Sequence, residues 1–120
     1  MMILVVDDQE NMCWILSKVL SKVGFCVKTA HTVKAALSIA DTDEISGAVL
    51  DFRLPDGNGL DLFLELRQRH QNLPCVLITS YGSQKLHAEA SELGFVACFD
   101  KPFDNRALIA VLEKAVKSGD

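Results

Sequence analysis

The sequence predicts an α/β domain in which helices cover both faces of a five-stranded parallel sheet. Short apolar runs alternate five times with amphipathic helical stretches within 120 residues, and no linker, internal repeat or low-complexity stretch interrupts them. The length suits a single domain with a hydrophobic core, and an apolar fraction of 49% is a globular value. We therefore expect residues 1–120 to form one doubly wound domain.

Each element is placed by its own residue pattern. Short apolar runs predict strands at 2–6, 25–30, 46–51, 74–79 and 95–100. Apolar residues at helical spacing predict helices at 9–23, 32–41, 59–70, 83–93 and 104–117. Gly24 and Gly94 lie where glycines commonly end helices.

The predicted helices differ in how much apolar surface they can bury. The first carries a full stripe, and so does the last: Met12, Ile15, Leu16, Val19, Leu20 and Val23, then Leu108, Val111, Leu112 and Ala115. The fourth has a thin stripe of Leu86, Ala90 and Leu93. We expect the fourth helix to be held less firmly than its neighbours, since little apolar area stabilises it.

Composition and charge argue against several classes of protein. A net charge of −4 gives no reason to expect direct binding to nucleic acid. No apolar window approaches a membrane span and no signal peptide is visible, so we expect a cytoplasmic protein without membrane contact. The four cysteines are widely spaced, which disfavours structural zinc, and we expect Cys26, Cys75 and Cys98 to be small buried residues.

Polar side chains follow the predicted strands where those strands end. They are Asp7 and Asp8 after the first strand, Asp51 at the third, Thr79 and Ser80 at the fourth, and Asp100 and Lys101 at the fifth. The carboxyl ends of parallel strands meet at one sheet edge, where sites are built. Clustered carboxylates without histidine or cysteine suit a hard cation, above all Mg²⁺.

This set of groups is suited to phosphoryl transfer. A carboxylate can act as the nucleophile and form an acyl phosphate, while a metal, a lysine and a hydroxyl stabilise the charge on the transferred group. Taken alone, an aspartate before a turn more often caps a helix, and a Lys-Pro pair more often lies in a loop. Their joint placement at the strand ends favours the functional interpretation.

In these motifs the sequence resembles the receiver domain of two-component response regulators, a flavodoxin-like (βα)5 domain. The motifs are Leu4-Val-Val-Asp-Asp8, Leu50-Asp-Phe-Arg-Leu-Pro-Asp-Gly-Asn-Gly-Leu60, Ile78-Thr-Ser80 and Asp100-Lys-Pro-Phe103. The resemblance covers essentially the whole chain. It implies a signalling switch rather than a turnover enzyme, phosphorylated by a sensor histidine kinase or a histidine phosphotransfer protein.

The resemblance also implies roles for the acidic residues. Asp51 would accept the phosphoryl group. Asp8, Asp51 and the backbone carbonyl of Arg53 would bind Mg²⁺ directly, and Asp7 would act largely through water.

Further roles follow from the same resemblance. Thr79 would donate a hydrogen bond to a phosphoryl oxygen, Lys101 would pair with the phosphoryl group, and the bond between Lys101 and Pro102 would be cis. Ser80 and Tyr81 would belong to the switch region. We expect Arg53 and Tyr81 to border the phosphoryl group, with Tyr81 shielding it from water.

One position departs from the family. Receivers usually carry an aromatic residue three positions before the lysine, and this chain has Cys98 there. By strand alternation, Phe95 and Phe99 are predicted to point to the opposite face. We hypothesise that coupling between the threonine and an aromatic is weakened, and that output through the fourth helix, fifth strand and fifth helix depends more on rearrangement of residues 80–93.

Trp14 lies about half a turn from the apolar stripe of the first helix. It is either a single exposed aromatic residue or an anchor for a partner, since kinases and phosphotransfer proteins bind receivers at that helix. The resemblance also allows a homodimer on phosphorylation.

No effector domain is visible, and the sequence ends at Ser118-Gly-Asp120 just past the last helix. The chain is therefore either a stand-alone regulator or the front of a longer one with a DNA-binding or ATPase domain. The loop at 52–59 looks somewhat like receivers joined to transcription-activating ATPases.

Three alternative functions remain to be weighed. A degenerate receiver that only binds proteins has Cys98 in its favour and the full polar set against it. A Mg²⁺-dependent aspartyl-phosphate phosphatase would need a second acid where Arg53 stands. A flavin-binding module would need a Ser/Thr/Gly-rich phosphate loop after the first strand, and this chain has none there.

Overall fold

The computed structural model describes residues 1–118 and contains the predicted alternation of strands and helices. The parallel strands are β1 (Met2–Val6), β2 (Cys26–Ala30), β3 (Gly47–Asp51), β6 (Cys75–Thr79) and β7 (Ala97–Asp100). The helices are α1 (Glu10–Lys22), α2 (Val33–Thr42), α3 (Gly59–Arg69), α4 (Gln84–Leu93) and α5 (Asn105–Ser118). Gly119 and Asp120, predicted to follow the last helix, lie outside the described residues.

The sheet has the strand order β2-β1-β3-β6-β7, and all four pairings are parallel. Its order reverses at β1, because the chain moves first to one side of that strand and then to the other. In open α/β sheets such a point creates a crevice at the carboxyl ends of the strands. The fold class and doubly wound topology predicted from the sequence are confirmed.

Apolar side chains from the two faces of the sheet form two cores. One face packs against α1 and α5, through residues that include Leu16 and Leu108. The other packs against α2, α3 and α4, through residues that include Phe63 and Leu86. The central strands β3 and β6 are buried along their whole length, as expected for strands covered on both sides.

The helix ends and α4 agree with the sequence analysis. Gly24 and Gly94 both adopt positive φ, at 99° and 114°, next to the ends of α1 and α4. Helix α4 buries only Leu86 and Ala90, while Leu93 is partly exposed, so this helix has the thin apolar interface that was predicted.

One element was not predicted. Residues Arg53–Leu54 (β4) and Gly57–Asn58 (β5) pair as a small antiparallel ribbon between β3 and α3. A two-residue strand is too short to give an alternating pattern, which is why the sequence showed only a Pro/Gly loop.

Two predictions about burial were wrong. Cys26 is exposed, because β2 is an edge strand of the sheet, and Cys98 is only half-buried. Phe95 lies on the same side as Cys98, not opposite it, because β7 begins at Ala97 and strand alternation does not extend back to Phe95. Phe99 does belong to the opposite core, as predicted.

The three histidines differ in their exposure to solvent. His31 is exposed, whereas His70 and His87 are half-buried. The rings of His70 and His87 each form a hydrogen bond. Within residues 1–118, none of the helices combines the length and the apolar character needed to cross a bilayer.

Candidate functional site

The carboxyl ends of four strands bring the predicted polar residues to one cavity. This cavity has a volume of about 220 Å³ and lies at the crevice beside β1 and β3. Seven of its lining residues were predicted from the sequence: Asp8, Asp51, Arg53, Thr79, Ser80, Tyr81 and Lys101. Gln9 also lines the cavity and was not predicted.

Asp7 is the most deeply buried acid of the site, with no exposed surface. Its Oδ1 accepts a hydrogen bond from the backbone N–H of Gln9 at 2.9 Å, and its Oδ2 accepts one from Nζ of Lys101 at 2.8 Å. Its backbone carbonyl accepts from the thiol of Cys13 at 3.2 Å. Each carboxylate oxygen of Asp7 therefore already has one protein donor.

Asp51 ends β3 at the centre of the sheet and is 6% exposed. Burial, followed by the negative charge of Asp7, raises the pKa of Asp51 to about 6, although Lys101 acts in the opposite direction. The carboxylate is thus an ionised group at neutral pH whose charge is not fully balanced by the protein.

Lys101 supplies the positive charge of the cavity. Its Nζ lies 2.8 Å from Oδ2 of Asp7, 3.5 Å from Oδ2 of Asp51 and 3.3 Å from Oε1 of Gln9. The side chain is 10% exposed, and the peptide bond to Pro102 is cis, as predicted. One ammonium therefore connects both buried acids.

Thr79 and Tyr81 also line the cavity. The hydroxyl of Thr79, almost fully buried, accepts a hydrogen bond from the backbone N–H of Tyr81 at 3.0 Å and retains its own proton for donation. The Tyr81 side chain is exposed, and the guanidinium of Arg53 lies 4.2 Å from the centre of its ring. Arg53 and Tyr81 thus form a cation–π pair at the mouth of the cavity.

The acid cluster fits a hard divalent cation. One oxygen atom from each of Asp7, Asp8 and Asp51 lies within 4.8 Å of the others. The ligand atoms are all oxygens, and burial together with the charge of Asp7 raises the pKa of Asp51, an effect that a bound cation would oppose. Oxygen donors in this number suit Mg²⁺, which binds few carboxylates and keeps several waters.

The loop after Asp51 is anchored by residues that the sequence analysis did not single out. The carboxylate of Asp56 accepts hydrogen bonds from the backbone N–H groups of Val33 and Lys34, at 2.7 and 3.1 Å, and so caps α2. These two hydrogen bonds lower the pKa of Asp56. Gly59 follows, and a Cβ atom there would lie 2.6 Å from the backbone oxygen of Asp51, so only glycine allows α3 to begin so close to it.

Two residues named from the sequence lie outside the cavity. Trp14 is 63% exposed on the outer side of α1, where Lys18 lies 5.1 Å from its ring centre. Cys98 lines a separate cavity beside His87 and Phe95. Burial, then the charge of Asp100, raises the pKa of Cys98 to about 11, so its thiol stays protonated at neutral pH.

Known proteins resemble this chain in sequence. CpxR, a transcriptional regulatory protein of Klebsiella pneumoniae subsp. pneumoniae, is 38% identical over 108 residues, which cover 90% of this chain and 46% of CpxR. RegA, a photosynthetic apparatus regulatory protein of Cereibacter sphaeroides, is 37% identical over 113 residues, which cover 93% of this chain and 61% of RegA. The chain thus spans about half of the length of these curated relatives.

Solved structures share the fold. The non-phosphorylated HemR receiver domain of Leptospira biflexa superposes with a TM-score of 0.86 at 30% identity, covering 96% of this chain and 93% of HemR. The receiver domain of the Francisella response regulator 1452 superposes with a TM-score of 0.91 at 24% identity, covering 99% of this chain and 98% of that domain.

The family match accounts for almost the whole sequence. Residues 3–113 match the family described as the response regulator receiver domain. The strand order, the acid cluster at the carboxyl edge and the identities above 30% agree with that match. The chain therefore belongs to the response regulator receiver family, the phosphoryl-accepting switch modules of two-component signalling.

Proposed function

We propose that this receiver is phosphorylated on Asp51 in a Mg²⁺-dependent reaction. The donor would be a phosphohistidine on a sensor histidine kinase or a histidine phosphotransfer protein. The observation that carries the proposal is the convergence of Asp7, Asp8 and Asp51 within 4.8 Å, with Nζ of Lys101 3.5 Å from Asp51. This arrangement combines a nucleophile, a cation site and a fixed positive charge at one accessible edge.

The reaction needs only a carboxylate oxygen as nucleophile. An Oδ atom of Asp51 attacks phosphorus, the new P–O bond forms, and the P–N bond of the phosphohistidine breaks. The imidazole leaves with the electron pair and binds a proton from solvent, so that an acyl phosphate remains on Asp51. With a pKa of about 6, Asp51 is mostly ionised at neutral pH even before a cation binds.

The surrounding residues divide the remaining tasks. Asp8, Asp51 and the backbone carbonyl of Arg53 would hold Mg²⁺, with Asp7 acting through water, and the metal would neutralise charge on the phosphoryl oxygens. Lys101 would move its ammonium from Asp7 toward the phosphoryl group.

Thr79 is suited to donate a hydrogen bond to the transferred phosphoryl group. Its hydroxyl proton is not used in its hydrogen bond with Tyr81, so it would donate to a phosphoryl oxygen.

In this proposal the chain is not a turnover enzyme, because the product is its own modified side chain, which water later hydrolyses.

The decisive experiment is labelling by a small acyl phosphate such as acetyl phosphate, with and without Mg²⁺. We expect one phosphoryl group per chain, dependent on Mg²⁺ and absent in Asp51→Ala. Asp104→Asn is the matched control, because its carboxylate is exposed outside the site. Labelling of Asp51→Ala at the unchanged rate would contradict the proposal, and a lack of labelling in the unchanged chain would favour a degenerate receiver.

The partner surfaces follow from exposure and from the relatives. Trp14 on α1 lies on the surface that we assign to the phosphoryl donor, because an exposed tryptophan is a common anchor at interfaces. The surface of α4, β7 and α5 would carry the output, with a homodimer on phosphorylation as one form of it. The name of CpxR, a transcriptional regulatory protein, supports regulation of transcription as the process. A DNA-binding or ATPase domain would carry out that regulation.

A further inference from the structure

The carboxylate of Asp100 lies where three parts of the switch region meet. Asp100 ends β7, pairs in register with Thr79 of β6, and directly precedes Lys101. The backbone N–H of Lys101 donates to the carbonyl of Thr79 at 2.8 Å. Asp100 is therefore held next to Lys101 along the chain and next to Thr79 across the sheet. These are the two residues that would contact the phosphoryl group.

The same carboxylate packs against the loop that leads from Thr79 to α4. A Cβ atom on Gly82 would overlap Oδ1 of Asp100, so glycine is the residue that leaves this space free. Residues Ser80 and Tyr81 of that loop line the phosphoryl-acceptor cavity. Asp100 thus touches the loop that carries two of the residues lining that cavity.

The third contact of Asp100 is with α4 itself. Nε2 of His87 lies 3.0 Å from Oδ1 of Asp100, and the ring N–H donates because an ionised carboxylate only accepts. The remaining attachments of α4 in the described part of the chain are few. Leu86 and Ala90 are its buried residues, and Arg67 donates to the carbonyl of Gly94 just past its end.

Cys98 stands on β7 at the position where receivers usually carry an aromatic residue. Cys98 lines a cavity of about 230 Å³ together with His87 and Phe95. The thiol is protonated and smaller than an aromatic ring, so we expect it to fill only part of the space that such a ring would occupy. The hydrogen bond between His87 and Asp100 instead joins β7 directly to α4, two residues further along the strand than Cys98.

We propose that the hydrogen bond between His87 and Asp100 couples the phosphoryl site to α4, in place of the missing aromatic side chain. The inference rests on the proposed function, since it needs Lys101 and Thr79 to respond to a group on Asp51. A shift of Lys101 toward that group moves Asp100 with it, and His87 passes the movement to α4. His87 is a positioning residue in this scheme.

The expected size of the coupling follows from exposure. The side chains of His87 and Asp100 are 38% and 59% exposed, so their contact is a weak one. Exposed pairs change an equilibrium by about twofold to fivefold. A helix held by little apolar area can be shifted by a contact of that size, because its two states need only a small difference in free energy.

The test is amide hydrogen exchange across residues 84–93 with and without Mg²⁺ and beryllofluoride, a phosphoryl analogue. In the unchanged chain we expect activation to change the exchange rates. In His87→Ala and in Asp100→Ala this response is expected to fall by about twofold to fivefold, and the double variant is expected to resemble each single one. His87→Gln, which keeps an N–H donor, is expected to recover part of the response.

Two controls make the result specific. His31→Ala removes an exposed histidine elsewhere, and Cys98→Ala removes the thiol, and both are expected to respond like the unchanged chain. An undiminished α4 response in His87→Ala, or losses that add in the double variant, would overturn the coupling. A response lost in Cys98→Ala would overturn it as well, because it would place the coupling at Cys98.

Labelling of Asp51 by acetyl phosphate separates failure of the coupling from failure of the proposed function. We expect His87→Ala to be labelled at the unchanged rate, since His87 does not line the acceptor cavity. If labelling is normal and the α4 response is undiminished, the coupling is wrong and the proposed function stands. If the unchanged chain takes up no phosphoryl group, both are wrong.

Discussion

The ammonium of Lys101 donates to Oδ2 of Asp7 at 2.8 Å, which is closer than its 3.5 Å distance to Oδ2 of Asp51. The sequence resemblance implied a lysine that pairs with a phosphoryl group. Without that group, the same charge is held by the neighbouring acid. Lys101 is therefore held close to Asp51, and a short shift of its ammonium away from Asp7 is enough to meet negative charge that arrives there.

The first prediction removes this charge. Lys101→Met is expected to slow labelling by acetyl phosphate by on the order of 100-fold, because the phosphoryl oxygens lose their fixed positive partner. Lys22→Met, which removes an exposed lysine on α1, is the matched control and is expected to be labelled normally. Equal labelling rates in the two variants would show that Lys101 does not stabilise the transferred group.

The second prediction concerns Asp51 and pH. The pKa of Asp51 rises from 3.8 to about 6 on folding, so the folded protein binds this proton more tightly than the unfolded chain. The contribution of Asp51 to the free energy of unfolding therefore decreases as pH rises from 3.8 to about 6. Without metal at pH 7.5, Asp51→Asn is expected to be more stable by on the order of 2–3 kcal/mol, a gain that shrinks toward pH 4.

Urea unfolding at these pH values, with Asp104→Asn as the exposed control, measures that difference. Added Mg²⁺ is expected to stabilise the unchanged chain and to have little effect on Asp51→Asn, since the variant lacks a charged ligand. A variant that is less stable than the unchanged chain at pH 7.5 would contradict the assignment of unbalanced charge to Asp51.

The third prediction concerns the pair that borders the cavity. The guanidinium of Arg53 lies 4.2 Å from the ring centre of Tyr81, and we expect the two side chains together to limit the approach of water. Tyr81→Ala and Arg53→Ala are each expected to speed hydrolysis of the acyl phosphate by about twofold to fivefold, the range of an exposed cation–π contact. Tyr81→Phe keeps the ring and is expected to hydrolyse at the unchanged rate.

Loss of labelled protein over time, after removal of the acyl phosphate, gives these rates. The double variant is expected to resemble the faster single variant, because either substitution opens the same shield. An unchanged or slower rate in Tyr81→Ala would show that the ring does not protect the phosphoryl group.

The fourth prediction concerns Asp56, which caps α2 from the loop after Asp51. Hydrogen bonds from Val33 and Lys34 lower its pKa below 3.8, so its contribution to stability is complete above that value and disappears as pH falls through the lower, folded-state pKa. Asp56→Ala is expected to lower the urea midpoint at pH 7. The difference from the unchanged chain is expected to shrink below pH 3.8.

Glu89→Ala removes an exposed acid within α4 and serves as the control for charge alone. A midpoint difference that persists undiminished at low pH would show that the carboxylate charge of Asp56 does not stabilise α2.

The fifth prediction concerns the donor surface on α1. Trp14→Ala is expected to slow transfer from a phosphorylated histidine phosphotransfer protein by about tenfold or more, the loss typical of an interface anchor. Labelling by acetyl phosphate is expected to be unchanged, because a small donor needs no docking surface. Leu64→Ala, which removes an exposed apolar side chain on α3, is the control. Equal transfer rates in all three proteins would mean that Trp14 is a single exposed aromatic residue.

The candidate site was largely predictable because its residues are defined by position along the chain. Asp7, Asp51, Thr79 and Lys101 each follow a short apolar run, and a parallel sheet collects such positions at one edge. The alternation of strands and helices predicted the shared edge, and the strand order in the structure places β1, β3, β6 and β7 side by side.

The residues that were missed depend on contacts between distant elements. Asp56 caps a helix 22 or 23 residues earlier in the chain, and His87 reaches Asp100 from another element. No local spacing reveals such pairs. The position of Phe95 was wrong for a related reason: alternation applies only within a strand, and packing against Phe63, with ring centres 4.2 Å apart, decides where Phe95 lies.

The hydrogen bond between Lys101 and Asp7 joins residues 94 positions apart. A ribosome must therefore synthesise almost the entire domain before Lys101 can join the acids of the acceptor site. In chains released early, or with β7 not yet packed on the sheet, the acidic cluster would lack the ammonium of Lys101. Only chains with β7 in place would then be efficient phosphoryl acceptors.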